Sequence, residues 1–561
     1  MISFLPFQSL TGNGVETEYS RVLEGDMIVL NSNLSDSARS ALDCQQQSYS
    51  SSRKPSESAS TSALQMIPPL PEDVFIAIFH YLALRDVLSM RTVCKSFNNI
   101  THLRGLWLLI LRKEVWNRNI PTPRVNLDSL CAAQIEKLVA SALSLHRNWT
   151  SKNPKAVRKR HVALTTPGAR ITSLHFITLE RCSCLLSLSV TSRVEPRTVT
   201  LECWDLSSLR CKARRAMHWF GGYAVNSDPE STGIIAIRTP HVEVLAFDPS
   251  ASNPDSAFIP LITLSTAAKS VLSLAGTTLI LRTMNNELKI LDIVRPLYEL
   301  RLEDRQPTIP PNQPDSFEAI IHNEYAIILR PKTLALYALD AFRRGSHPPS
   351  VPISPVQVHE FQWRIDSCVM QRQRSPSARR LSDESRPCGL NILIRYSTLF
   401  PWPVNLLHHF ILHPNHSYIS PPTDGSHAST SSTSFAVTSS NPPYRFPPVL
   451  SQTIVSPIRL FSITDMALGP YGTAIWLDNH TDYYEEVGQR LAGLMLTKLP
   501  NNKEEAGSDN APPDQFSTKA STVFCAHETD DWNRVAMDES EGRIAVGSIK
   551  GNILIEDYVD R

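Results

Sequence analysis

Glycine is scarce in this 561-residue chain, at 20 residues, while proline reaches 41. Connections built from such a composition are stiff loops rather than Gly-rich hinges. No G-x-G-x-x-G turn and no Walker loop is present, which removes the usual phosphate-cradling folds. The ten cysteines are scattered. The only close pair, Cys182 and Cys184, has neither the C-x-x-C redox spacing nor that of paired zinc knuckles. A RING finger is therefore excluded, and no metal or cofactor is expected. No apolar run approaches membrane-spanning length, and the N-terminus lacks a signal-peptide pattern. A cytoplasmic or nuclear location with reduced thiols is expected, so the sequons at Asn148 and Asn479 carry no information. Charge of one sign is also missing: 55 Lys and Arg face 54 Asp and Glu, a net +1. Neither nucleic acid nor a membrane is indicated as a partner by the overall charge. Catalytic signatures are absent too. There is no G-x-S-x-G elbow, and His359–Glu360 and His527–Glu528 lack the second His of an H-E-x-x-H helix. The chain does not read as an enzyme.

What is present falls into four parts. Residues 1–65 form a polar tail, with few apolar side chains between about 31 and 63 to offset the entropy of ordering, and this tail is expected to be disordered. From Met66 to about 118 the apolar spacing is helical. Residues 119–160 read as a helical linker, whose amphipathic stretch Leu127–Leu145 places Leu130, Ile135, Leu138, Val139 and Ala142 at mostly three- and four-residue steps. The linker ends in a basic run, Lys152, Lys155, Arg158, Lys159 and Arg160.

From 161 to 561 the texture becomes short runs rich in Val, Ile, Leu and Thr, broken by turn residues. One unit recurs, a strand, a tight turn and a strand closing on Asp: Gly233–Asp248, Thr278–Asp292 and Tyr325–Asp340. An earlier strand closes at Asp205, so the period is about 43 to 48 residues, close to that of a four-stranded propeller blade. Later matches end at Asp478 and near the C-terminus. Blades cannot bury both faces alone, so they stack radially. The fold class expected is thus α+β and multidomain: small all-α helices, then a mainly antiparallel all-β propeller of six to eight blades. An open sandwich or two separate β-domains is the competing reading. Polar inserts near 371–388 and 420–445 are assigned to mobile loops.

The stretch Pro68 to Trp107 carries the functional argument. Glu72 and Asp73 lie where a helix dipole favours negative charge, with Pro71 suited to the first turn. Val74, Ile78 and Leu82 share a stripe with Phe75 and Phe79 beside it. Asp86 is a suitable N-cap for a second helix presenting Val87, Leu88 and Val93. Helices this short are not stable alone and must pack on something.

This stretch resembles the F-box family. The family's Leu-Pro-x-(Glu/Asp)-(Ile/Val) opening and its continuation are matched by Leu70, Pro71, Asp73, Val74, Ile78, Phe79, Tyr81 and Leu82. The middle is matched by Asp86, Val87 and Leu88, the Val-Cys-Lys-x-aromatic run by Val93, Cys94, Lys95 and Phe97, and the later Trp by Trp107. Phe97 stands where Trp is commoner. The resemblance implies docking on a Skp-family adaptor, and through it on cullin and RING subunits. It assigns adaptor binding to Leu70, Pro71, Val74, Ile78, Phe79, Leu82, Leu88, Val93, Cys94 and Trp107. A propeller that recruits a protein substrate would complete a ligase receptor, while a non-degradative scaffold using the same helices is the alternative. The propeller's own likeness to WD repeats is looser: Trp204-Asp205 matches the dipeptide once, and the Gly-His signature is missing.

Two further clusters remain. The basic run at 152–160 suits a nuclear import signal, a phosphate-binding patch or a solvated linker, and Lys212, Arg214 and Arg215 suit a phosphate grip if they face the channel. Arg374-Ser375-Pro376 and Arg379-Arg380-Leu381-Ser382 match kinase recognition patterns.

Overall fold

A computed structural model describes residues 71–560 except 180–181, 192–196, 296–298, 304–317, 323, 340–351, 375–387, 397–405, 419–440, 457–464, 480–487, 497–517 and 520. The tail, Leu70, Ser375, Ser382 and most of both inserts lie outside the described residues. Leu70–Arg561 forms one compact unit.

Helices come first. α1 (Glu72–Tyr81) has Glu72 and Asp73 in its first turn and stops where Leu82 turns extended and donates its N–H to Phe79 O at 3.2 Å. α2 (Leu84–Met90) follows an uncapped, extended Ala83. Asp86 does not cap it: its own N–H already bonds Ala83 O at 2.9 Å, so the carboxylate lies inside the first turn, where the dipole still favours it. α3 (Lys95–Thr101) is capped by Cys94, whose Sγ accepts from Phe97 N. α4 (Arg104–Ile110) continues into a π-helical turn, Leu111–Trp116. α5 (Ala132–Trp149) begins with Gln134 Oε1 accepting from Cys131 N at 2.9 Å. Its buried stripe divides in two. Ile135, Val139 and Ala142 join the helical core with Leu106, Trp107 and Ile110. Leu145 and Trp149, further along, join the propeller core instead.

Seven blades follow, six of four strands and one of five among the described residues. Blades 1 to 6 span residues 169–217, 223–264, 268–302, 318–360, 365–455 and 466–527. Within each, neighbouring strands pair antiparallel, and the two-residue strand Thr518–Lys519 adds in parallel to the outer strand of blade 5. The first strand of each blade touches that of the next, Ser173 of blade 1 meeting Tyr223 of blade 2, which arranges the sheets around a ring. Continuously buried runs such as Tyr325–Leu329 and Thr333–Tyr337 fill the space between blades, as stacking on both faces demands.

The recurring Asp residues have a physical origin. Asp205, Asp248 and Asp292 each follow or end the third strand of a blade, and their Oδ1 atoms accept the backbone N–H of Ser207, Ser250 and Val294, two residues on. Each is an Asx turn that starts the connection to the fourth strand. Asp478 differs: it lies on a second strand, Thr473–Asn479, so the same string there marks another position in the blade.

Ring closure corrects one expectation. Arg158, Lys159 and Arg160, read as linker, belong to β1 (Arg158–Ala163), the fourth strand of blade 7, whose other strands are Trp532–Asp538, Arg543–Ser548 and Asn552–Asp557. β1 pairs with Asn552–Asp557, Lys159 lying opposite Glu556. Lys159 Nζ meets Glu556 Oε1 at 2.7 Å and Arg160 Nη2 meets Asp557 Oδ2 at 2.8 Å. The basic run is thus partly spent on neutralising the neighbouring acidic strand.

The helical unit rests on one face of the ring, that of the turns joining first to second strands. Tyr471, in that turn of blade 6, bonds Thr122 O through its hydroxyl at 3.0 Å and accepts Asn119 Nδ2 at its carbonyl. Arg374, after the first strand of blade 5, donates to Tyr471 Oη at 2.6 Å. Glu539, in the blade 7 turn, accepts from Tyr471 N at 2.6 Å and Thr473 N at 2.7 Å. Burial pushes its carboxyl up to about 7. Gly542 allows the close approach of α5: its φ is +63°, and a Cβ there would lie 2.5 Å from Leu145 Cδ1. Asn148 clips the end of α5, donating to Lys155 O and Tyr558 O and accepting from Lys155 N.

Candidate docking surface of the helical unit

The short helices bury one side thoroughly. Phe75, Phe79 and Phe97 form a triangle with ring centroids 5.4 to 6.4 Å apart, two of the three pairs edge-on. Trp107 lies beneath, its indole N–H held by Thr101 O at 2.9 Å. Arg91 stacks over Trp107 at 5.5 Å and forks onto Glu136 of α5, with both N–O distances 2.7 Å. Lys113 Nζ donates to His80 O and Leu82 O and so ties the end of α1 to the π-helical turn. A partly buried, bidentate guanidinium–carboxylate pair of this kind fixes orientation as well as adding stability.

Against this rigid support, the opposite side is left open. Val74, Ile78, Leu88 and Val93 are 39, 45, 39 and 63% exposed, and Tyr81 is 84% exposed. Pro71 and Cys94 are exposed beside them. The ring covers none of these side chains. Leu82 is half-buried and packs partly against the helical core. Phe79 and Trp107, assigned to adaptor contact from the sequence, are each 1% exposed and sit inside the core. Their place is to hold the ridge, and any contact they make with a visitor is through it. Leu70 lies outside the described residues.

Spacing alone could not make that division, because period 3.6 identifies an apolar stripe without saying which half of it the next helix covers. Cys94 was legible only as part of a motif, whereas its Sγ is the cap of α3. Arg91 and Glu136, which lock α2 to α5, carried no sequence signal, since they are 45 residues apart.

Residues 67–112 match the F-box-like family. The match spans α1 to α4 and the start of the π-helical turn, well under a tenth of the chain, and the F-box-like segment is followed by the seven-bladed propeller. Phe97, the departure from the commoner Trp, keeps its aromatic place in the Phe75–Phe79 triangle. No curated protein matches the chain. Among solved structures it is similar to a chain of the Chaetomium thermophilum polycomb repressive complex 2 (PRC2), at 10% identity and TM-score 0.40 over 71% of this chain and 96% of that one. A humanized mutant of the same complex bound to the inhibitor GSK126 gives 9% and 0.41 over 72% and 97%.

The other candidate residues are placed less suggestively. Lys212, Arg214 and Arg215 are all spent on blade contacts, with Asp205, Asp255 and Glu243 respectively. His527 stacks flat on Trp532, centroids 4.5 Å apart, and bonds Asp531. Among the described residues no three His, Cys, Asp or Glu side chains gather as a metal site, and no helix is long and apolar enough to cross a membrane.

Proposed function

We propose that the chain is a substrate-receptor subunit of an SCF-type cullin–RING ubiquitin ligase. The F-box-like helices dock on a Skp-family adaptor, cullin and RING subunits join through that adaptor, and the propeller recruits the protein to be modified. The chain itself performs no chemistry in this reading, and it works in the cytoplasm or the nucleus. The observation that carries the reading is the open apolar ridge Val74–Ile78–Leu88–Val93 on a rigid base. Exposed aliphatic side chains grouped on so small a unit cost hydration free energy that a covering partner would recover. The welded junction between α5 and blades 6 and 7 supports the receptor role: a rigid arm holds the recruited protein at a set distance from the ubiquitin donor, which raises effective concentration at the acceptor lysine.

Capture of a Skp-family adaptor by the full chain tests it. Leu88→Asp and Val93→Asp, each placing a charge on the ridge, should lower capture roughly tenfold or more, while Lys137→Asp on the exposed side of α5 leaves it unchanged. These positions serve better than Leu82, whose half-buried side chain also supports the fold. Undiminished capture by both ridge variants would sink the docking reading. Co-capture of cullin and RING subunits separates a ligase receptor from a scaffold that binds the adaptor alone.

A further inference from the structure

The helical unit occupies the face carrying the first-to-second strand turns, so the opposite face, built from second-to-third strand turns and blade-to-blade connections, is clear of it. One charged group stands apart there. Arg238 ends the second strand of blade 2 (Ile235–Arg238) and is only 9% exposed. Its Nε donates to Ala268 O at 2.7 Å, and Nη1 is buried with no hydrogen-bond partner. Among the described residues no carboxylate pairs with it, and burial lowers its pKa from the ordinary value. A buried cation without a counter-charge is costly, whereas Arg214 and Arg215 of blade 1 are each paired with an acid.

The surroundings fit an incoming anion. Trp219, in the connection from blade 1 to blade 2, lies over the guanidinium at 4.4 Å and is itself 47% exposed. Gly221 makes the assembly possible: a Cβ there would stand 2.8 Å from Arg238 Cγ, 2.9 Å from Lys269 O and 2.9 Å from Trp219 Cη2. Ser270 beside Gly222 has a buried hydroxyl that also lacks a partner. Among the described residues Lys269 Nζ is bound to the neutral Asn286 Oδ1, at 3.1 Å. Exposed Met284 lies in the same blade 3 turn as Asn286.

We propose that the seam of blades 2 and 3 on this free face is a docking site for an acidic segment of a partner protein, with an Asp or Glu carboxylate on Arg238 and an apolar neighbour on Trp219. A carboxylate is chosen over a phosphate because only the Arg238 guanidinium lies against the Trp219 ring, while Lys269 Nζ is held by Asn286 Oδ1, so a second negative charge would lack a direct partner. The proposal deepens the receptor reading and rests on the propeller being its recruiting part.

The test uses the full chain and immobilised short peptides that present one Glu, one Gln or one phosphoserine between leucines. The Glu peptide should be held roughly tenfold to a hundredfold more tightly than the Gln peptide, the range of a desolvated charge-assisted hydrogen bond. Arg238→Gln should abolish that difference, Arg238→Lys should keep part of it, and Trp219→Ala should weaken both peptides alike. Equal binding of Glu and Gln peptides, a preference for phosphoserine over Glu, or an unchanged preference in Arg238→Gln each overturns the proposal. Should Arg238→Gln not fold, shown by its melting curve, Arg238→Lys decides: a reduced Glu preference there supports a carboxylate on the guanidinium, and an unaltered one overturns it. Adaptor capture, measured on the same proteins, reads the ridge separately. A chain that holds the Glu peptide but no adaptor keeps the anion site and loses the ligase reading, and the reverse result does the opposite.

Discussion

Trp149 offers the sharpest check on the idea that docking helices and propeller are one rigid body. It ends α5 in an aromatic cluster, with ring centroids 6.1 Å from Phe524 and 6.0 Å from Tyr558, which are 5.6 Å from each other, all three pairs edge-on. The side chain is 3% exposed. Trp149→Ala removes the largest member of this cluster from a site lined by side chains anchored on strands, which have little freedom to collapse. The expected cost is about 3–5 kcal/mol, the range for deleting a buried aromatic side chain. That should lower the thermal midpoint of the full chain by roughly 3–5 °C and open residues 150–157 to limited proteolysis. Trp149→Phe is the informative control. The indole N–H is buried without a partner, so phenylalanine loses no hydrogen bond and keeps much of the edge-to-face contact. A cost of about 1 kcal/mol is expected. A Trp149→Ala protein with an unchanged midpoint would refute the weld, and an equally damaging Trp149→Phe would show that the N–H, not the packing, matters there.

Three further outcomes follow from the same geometry. The Glu539 carboxyl is raised by burial to about 7 in the folded chain, so the folded state holds a proton that the unfolded state has released, and stability should fall as pH rises from about 4.5 to 7. The fall is on the order of 3 kcal/mol, and denaturant titrations at several pH values should show it flattened in Glu539→Gln; an identical slope in both proteins removes the assignment. Asn148→Ala breaks three hydrogen bonds that clip the end of α5 to Lys155 and Tyr558 and should cost about 1.5–3 kcal/mol in equilibrium unfolding. Arg91→Ala leaves Glu136 without its fork and should weaken adaptor capture without touching the ridge, while Arg91→Lys restores only part; full capture by Arg91→Ala would show that the ridge does not need this support.

Much of this architecture could be read from residue order. The second-to-third strand hairpins stood out because their runs are rich in buried Val, Ile and Leu and close on an Asp, which at Asp248 and Asp292 makes the next turn. The F-box-like helices stood out because the apolar positions are spaced for two helices too short to stand alone. Other features depended on contacts between distant residues. The closing strand Arg158–Ala163 carries three consecutive basic side chains and reads as linker, yet its partner acids lie almost four hundred residues away. Asp86 looks like a cap by residue type, but the chain enters the helix earlier, at Ala83. Phe79 and Ile78 are neighbours in one apolar stripe, and only the packing of α3 and α4 decides that the first is inside and the second outside. Arg238 attracted no notice for the converse reason: its distinction is the absence of a nearby acid, which no local string displays.

The pairing of β1 with the strand Asn552–Asp557 has a consequence for synthesis. The ribosome makes the docking helices and β1 before the first blade, but the three strands that β1 must join emerge after every other blade. Until then the growing ring stays open, and β1 waits with a bare edge, exposed to capture by other chains. A transcript stopping short of Trp532 would lose more than one blade: Tyr558 and Gly542, the seats of Trp149 and Leu145, would be missing as well. Such a product would still carry its F-box-like helices, now on a loose tether, and on the proposed function would compete with intact molecules for the same partner.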